Sequence, residues 1–538
     1  MHTLDTIARP GLASGLAGYT STRSTGSLAL ASLAPDLALS GALVAVLYLI
    51  AFFGAPKALF RDADAGWHIR AGEQMIATRS LPHGDPFSFS KPGAAWVAWE
   101  WGADVAVAAV HRMSGLGGVA ALYCLAIATS VWLWFRLNWA AGGNFLLACL
   151  FAAPMLSTTN LHWLARPHVF GWLFLLGFVW FFERMPARLH WTHFVGVVAL
   201  SAFWANVHGS FFLGPLVAAV YALGAWANGQ VFGNFSRSWR NALMILMAAA
   251  LGTLANPQGW NLHRHVFAYM VDAQLLDRIG EFQSFNFHAE GSAQIMLALL
   301  IGFAGGLAAL LDQRIERFLL AVVVTAGALR SARMLPVAAL ILLPLANGSI
   351  TAGLASATGL ALNFRRWLDG FLAYGEGLRK QDSRLSGLVL LPLVAVAIFT
   401  LLPALHPGFP ADQFPVAASS TIAKLPPDAR IFSSDKFGGY LIYRFQGARK
   451  VFFDGRSDFY GAAFLQSYSR MVQVRPGWTD LFDKWNFTHA LLPLDYSLVP
   501  ALKARGWTET YRDGVAVLLA SPVGAAPEKS NTKEGRRA

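Results

Sequence analysis

Long apolar runs separated by short polar stretches dominate the first four hundred residues of the chain. Runs near or above about 18 residues are long enough to cross a bilayer. They fall at 37–57, 115–135, 143–158, 167–183, 190–207, 211–228, 241–256, 292–311, 317–333, 335–361 and 386–405, which predicts about eleven spans. A shorter apolar piece at 103–113 fits a helix lying along the interface. The pattern changes after residue 405. Short strand-like runs at 430–434, 450–455 and 489–494 alternate with helical ones at 438–445, 461–473, 478–485 and 497–505, and a hairpin closes at 508–520. Such alternation predicts a small α/β domain.

The expected fold is therefore an α-helical polytopic membrane protein with a small C-terminal α/β extracytoplasmic domain. The expected parts are a cytoplasmic tail at 1–36, a transmembrane domain at 37–405 with its first outer loop at 58–104, the α/β domain at 406–521, and a disordered tail at 522–538. The polar lead before residue 37 lacks a compact basic region of the kind that opens a signal peptide, so the first span is expected to be retained.

Composition supports this class. Only 13% of the 538 residues are charged and 55% are hydrophobic. A soluble chain carries about 25% charged residues. Mean hydropathy is +0.45. The net charge of +12 reads as cytoplasmic Lys and Arg and not as a nucleic-acid surface. Cys124 and Cys149 both lie in apolar segments and read as small core residues, not as a disulfide.

Charge also gives sidedness. With the N-terminus inside, the inside loops hold Arg136; Arg184 and Arg188; Arg237 and Arg240; Arg314 and Arg317; and Arg365, Arg366, Arg379, Lys380 and Arg384. Every inside loop is basic, as inner loops of membrane proteins are. The outer side then receives the 61–104 stretch, LHWLARPH with His162, Arg166 and His168, NVHGS with His208, and NPQGWNLHRH with His263 and His265. It also receives Glu281 and the pair Arg330 and Arg333. Most of the fourteen histidines fall there. Polar residues sorted to one side predict a polar cavity at that face.

The stretch 61–104 concentrates the chemistry. It carries Asp62, Asp64, His68, Arg70, Glu73, His83, Asp85 and Glu100, with Trp67, Trp96, Trp99 and Trp101. If it is extended after the first span, Asp62 and Asp64 share a face. Such a pair can accept a proton, hold a divalent metal, or both. The bland alternative is a solvated loop with helix-capping aspartates. His263 and His265 form an H-x-H pair that can add ligands to a metal or simply line a cavity. Asp454, Arg456 and Asp458 follow a strand, where α/β folds often place ligand groups; an ion pair fixing the loop is the simpler reading.

The order of a first span, a carboxylate pair, a long amphipathic loop, many spans and a C-terminal outer domain resembles the GT-C superfamily of integral-membrane glycosyltransferases. DADAGWHIRAGEQMI, LPHGDPFSFS and WVAWEWGAD, with KVFFDGRSDFYG, look closer to a bacterial polyprenyl-phosphate-sugar branch of it. The resemblance implies an inverting sugar transfer from a polyprenyl-phosphate donor to a glycan, lipid or protein acceptor at the outer face of the bacterial inner membrane. Asp64 or Asp62 is then the base. Arg330 and Arg333 are the phosphate partners, since the guanidinium fork matches phosphate oxygens. Arg166, His168, His208, Glu100, Trp67, His68 and Glu281 are expected at the substrates. A divalent metal such as Mg or Mn, held by Asp62, Asp64, His263 and His265, is a further expectation. A lipid or glycan transporter, or a non-catalytic protein of envelope assembly, remains open from the residues alone.

Overall fold

The computed structural model describes residues 33–51, 54–233 and 239–522. Most of the expected tails, 1–32 and 523–538, lie outside the described residues. Asp36, inside the expected first tail, is buried: it caps the first helix at Leu39 N and lies 3.2 Å from Arg136.

The longer helices are α1 (Leu37–Ala51), α2 (Asp64–Thr78), α3 (Trp101–Ala140), α4 (Phe145–Thr159), α5 (His168–Glu183), α6 (Trp191–Val207), α7 (Leu213–Phe232) and α8 (Trp239–Thr253). Then come α9 (Trp260–Val271), α10 (Ser292–Leu311), α11 (Ile315–Arg330), α12 (Leu335–Ser356), α13 (Leu362–Asp382), α14 (Leu391–Ala404), α15 (Asp435–Arg444) and α16 (Ala462–Val472). Each expected span overlaps one of these helices; residues 52 and 53 of the first lie outside the described residues. Among the described residues, five helical stretches are long and apolar enough to cross a membrane, among them those at 101–140, 292–311 and 332–356, and four shorter apolar helices join them. The long α3 breaks at Ser114 and Gly115, so its first part is the separate piece expected at 103–113. Large apolar side chains such as Leu47, Leu150, Phe203, Leu300 and Leu401 point outward from the bundle, as a lipid-facing surface requires. Cys149 belongs to that exposed face and corrects its reading as a core residue; Cys124 is buried, and both are free.

The C-terminal domain carries a four-stranded sheet of β1 (Ile431–Ser433), β2 (His489–Pro493), β3 (Thr508–Arg512) and β4 (Ala516–Ala520), in the order β1-β2-β4-β3. β1 and β2 are parallel and the other pairs antiparallel. Asp513 Oδ1 accepts from Val515 N and Ala516 N and so sets the hairpin turn. The expected strand at 450–455 is not in this sheet. Val451 bridges Ser88 of the first loop instead, through Val451 N to Phe87 O and Phe89 N to Val451 O, both 3.0 Å. The loop captures this edge because Phe89 and Phe452 pack together, with ring centroids 5.9 Å apart.

Two further contacts fasten the domain to the first loop. Arg456 Nη2 lies 2.8 Å from Asp85 Oδ1 and 2.8 Å from Asp454 Oδ2, so the ion-pair reading of that loop holds. Gly66 of α2 faces the Gly439 carbonyl of α15; a Cβ there would stand 2.4 Å from that oxygen. The domain therefore rests directly on α2, and its 453–458 loop reaches the end of the bundle where Asp64 lies.

Candidate active site

The residues around Asp64 are placed by backbone ties between distant segments. Arg61 Nη2 donates to the carbonyls of Asn160 and Leu161, at 3.2 and 2.7 Å, and Ala165 N donates to Leu59 O at 2.8 Å. The turn before α5 is thus held against the chain entering α2, which brings Arg166 beside the aspartates. A third segment arrives from the 257–291 loop. Ser331 Oγ donates to Glu281 O at 3.1 Å and Ala332 N to Gln283 O at 2.9 Å, so Glu281 and Arg333 are placed together.

The aspartates are not on an extended strand. α2 starts at Asp64, and Asp62 Oδ1 accepts from Asp64 N at 2.9 Å. The N-cap itself is Ala63, without a side-chain cap, and Asp62 closes a turn onto the first residue of the helix. The two carboxylates still meet, because Arg166 joins them. Its Nη1 lies 2.9 Å from Asp62 Oδ2 and 2.7 Å from Glu281 Oε1, and its Nη2 lies 2.9 Å from Asp64 Oδ2. Arg333 Nη1 stands 3.6 Å from the other oxygen of Glu281.

A second constellation lies one turn along α2, since positions four apart share a helix face. His68 Nδ1 is 2.6 Å from Asp104 Oδ1, and its Nε2 is 3.7 Å from Glu100 Oε2. His208 Nε2 is 3.3 Å from the other oxygen of Glu100. Glu100 is thus held between two imidazoles.

Both groups border one cavity of about 700 Å³, whose walls include Asp64, Trp67, His68, Glu100, Arg166, His168, His208, Arg330 and Arg333. Trp96, Trp99 and Trp172 add aromatic faces. A second cavity of about 400 Å³ also has Asp64 in its wall, with Asp62, Gln413, Asp435 and Lys436. Asp64 and Gly455 touch both cavities. A Cβ on Gly455 would stand 1.9 Å from Asp64 Oδ1, so only glycine lets the loop approach this oxygen.

Burial dominates the protonation of these groups. It pushes Asp64 up to about 7, with Asp62 and Glu281 adding to the shift and Arg166 opposing it. Burial raises Glu100 to about 7 as well, against His68. The same burial lowers His68 to about 4, so its ring is neutral near pH 7. Burial would lower Arg166, but Asp62, Glu281 and Asp64 more than offset this and hold it well above the usual value. Burial would raise Glu281, but Arg166 and Arg333 hold it below the ordinary carboxylate range.

Nearly all the residues expected at the site are brought together. Asp62 and Glu281 reach it through Arg166. The histidine pair is the exception. Residues two apart on α9 diverge: His263 Nε2 meets Thr253 Oγ1 at 2.9 Å and His265 Nε2 meets Asp458 Oδ2 at 3.1 Å. The expected metal set of Asp62, Asp64, His263 and His265 is therefore not assembled. Among the described residues no three His, Cys, Asp or Glu side chains are grouped to hold a metal. Asp104 was missed, although an aspartate in the otherwise apolar run after Trp101 is itself a signal.

No family model matches the chain, and no curated protein matches it. Solved structures do. The oligosaccharyltransferase of Archaeoglobus fulgidus, crystallised with a tethered acceptor peptide containing an NVT sequon, aligns with a TM-score of 0.52 over 85% of this chain and 69% of that one, at 12% identity. Its apo crystal form aligns over the same shares with a TM-score of 0.51 and 11% identity. The chain shares the fold of this archaeal enzyme. At such identity the likeness establishes the fold and nothing finer.

Proposed function

We propose that the protein is a membrane glycosyltransferase of GT-C type. It moves a sugar from a polyprenyl-phosphate donor to an acceptor hydroxyl at the outer face of a bacterial inner membrane. The observation that carries this reading is the position of Asp64 between two cavities. In a two-substrate transfer the base must sit where the acceptor hydroxyl meets the donor's anomeric carbon. Membership of the polyprenyl-phosphate branch rests on the 61–104 signature, and the orientation rests on the basic loops at the opposite end of the bundle.

The large cavity suits the donor. Arg330 is exposed on its wall, and among the described residues no carboxylate pairs with it. Arg333 stands nearby, only 3.6 Å from Glu281. These cations bind the phosphate and stabilise its growing charge. The tryptophan faces and Glu100 bind the sugar, through stacking and hydroxyl contacts. The second cavity, bordered by Asp62, Gln413, Asp435 and Lys436, suits the acceptor, be it glycan, lipid or protein.

In the reaction Asp64 takes the proton of the acceptor hydroxyl. The acceptor oxygen forms a bond to the anomeric carbon from the side opposite the phosphate. The anomeric carbon–oxygen bond to phosphate breaks, and polyprenyl phosphate leaves with the electron pair. Configuration inverts. The leaving phosphate is stable as an anion, so no general acid is required. Asp62 fixes the start of α2 and shares Arg166 with Asp64. A transporter would place its ionisable groups near the bilayer midplane; here they sit at helix ends, and those that border the cavity share one end of the bundle. The test is release of polyprenyl phosphate by purified protein given a panel of polyprenyl-phosphate sugars. Turnover by the wild type, lost in Asp64→Asn with the fold intact, supports the reading. Unchanged turnover in Asp64→Asn removes Asp64 as the base.

A further inference from the structure

Three carboxylates from two distant segments converge on one guanidinium from a third. Asp62, Asp64 and Glu281 each give Arg166 an oxygen at 2.9, 2.9 and 2.7 Å respectively. A divalent metal held by carboxylates would need these same oxygens. Arg166 occupies the wedge between them. Its side chain is 15% exposed and belongs to a turn tied to residues 59–61, so it is fixed there by the fold. A metal entering the wedge would also meet the charge of Arg333, on the other oxygen of Glu281. The nitrogen ligands that could compensate are engaged elsewhere: His68 with Asp104, His263 with Thr253 and His265 with Asp458.

We propose that Arg166 is the built-in cation of this centre: it stands where a divalent metal would stand, and the protein binds and needs no metal there. The occupancy of the wedge rests on the contacts alone; the statement about need rests on the glycosyl-transfer reading above. The arrangement has a chemical consequence. Arg166 holds Oδ2 of Asp64 and leaves Oδ1, beside Gly455 where the two cavities meet, to take the proton. A fixed guanidinium keeps this division without exchange, because it cannot lose its proton or dissociate.

The converse also follows. Removing the guanidinium frees three carboxylates at one point, a donor set that suits Mn²⁺ or Mg²⁺. The experiment is titration of Mn²⁺ into the purified full chain, reading free Mn²⁺ by electron paramagnetic resonance and melting temperature in parallel. Wild type is expected to leave micromolar Mn²⁺ free, to melt at an unchanged temperature, and to turn over equally with and without chelator. Arg166→Ala is expected to bind Mn²⁺ at least about tenfold more tightly than wild type and to melt higher when it is present. Adding Asp64→Asn to that variant should abolish the gain. Uptake of Mn²⁺ by wild type that Asp64→Asn removes would overturn the proposal, and needs no folded Arg166 variant to be seen. A folded Arg166→Ala that gains no affinity would overturn it as well. Absence of turnover with every donor would count against the glycosyl-transfer reading, while the Mn²⁺ titration still decides the cation.

Discussion

The molecule contains two knots of arginine and carboxylate, and they differ in a way that separates structure from function. At the end of the bundle away from the cavity, Glu183 meets Arg317 Nη2 at 2.5 Å and Arg314 Nη2 at 3.1 Å, while Arg314 Nε meets Glu316 at 2.7 Å. Tyr221, Asn228 and Ser349 and the carbonyl of Ala141 complete the hydrogen bonds. Two carboxylates face two guanidiniums, and the Glu183 and Glu316 side chains are each 1% exposed. That knot is balanced, satisfied and closed. At the cavity end three carboxylates share Arg166, and Asp62 and Glu281 are 22% and 27% exposed. That knot is short of positive charge and open on two sides. The same residue types therefore lock helices in one place and leave partly exposed carboxylate oxygens in the other. Balance and access, not composition, distinguish them.

The sharpest way to break this comparison is at the open knot. Asp64→Asn should lower turnover of a polyprenyl-phosphate sugar by ~10²–10⁴-fold, the range for loss of a general base. Its melting temperature should not fall, because a buried carboxylate is being replaced by a neutral group. The reverse is expected at the closed knot. Glu183→Gln leaves buried guanidiniums without their counter-charge and should cost about 3–5 kcal/mol of stability, seen as a lower melting temperature in detergent. Turnover per folded molecule should be nearly unchanged. A stability loss at Asp64 or a turnover loss at Glu183 would erase the distinction.

Smaller effects sharpen it. Gly455→Ala should push Asp64 Oδ1 aside and reduce turnover by about 10²-fold, as misplacement by an ångström can, while leaving donor binding intact. Arg330→Ala removes a charge-assisted contact to phosphate and should weaken donor binding by roughly 10–100-fold, or ~1.5–3 kcal/mol, measured as donor affinity. The pH dependence should be gentler. The ionised form of Asp64 is the base, so kcat/KM should rise with pH through about 7 and fall below it. Stability should run the other way. Asp64 and Glu100 bind protons more tightly folded than unfolded, so this contribution is present below their unfolded values and is lost as pH rises through about 7. Asp64→Asn should flatten part of that slope.

Much of this was legible from the chain alone. The apolar runs located the apolar bundle helices, because a bilayer and a 1.5 Å rise per residue fix span length; they gave no sign of the amphipathic α2, α9 and α13. The loops rich in Arg lie at the helix ends opposite the cavity, and the sorting of His, Arg and Glu to the other end anticipated where the cavity lies. Local pattern did less well where partners are distant. The 450–455 run reads as a strand, yet its partner is the first loop, more than 350 residues away, and not the domain's own sheet. His263 and His265 read as a ligand pair until α9 turned them apart.

The sequence by itself determined the class of the protein, its helices and the side of the bundle that holds the chemistry, because hydrophobic length and charge placement act locally. Only the tertiary structure decided how the charges are used. It brought Arg166 to Asp62 across 104 residues and Glu281 to Arg166 across 115, set Gly455 against Asp64, and placed His68 on Asp104. Those choices depend on which backbone groups tie distant segments together, and no periodicity along the chain records that.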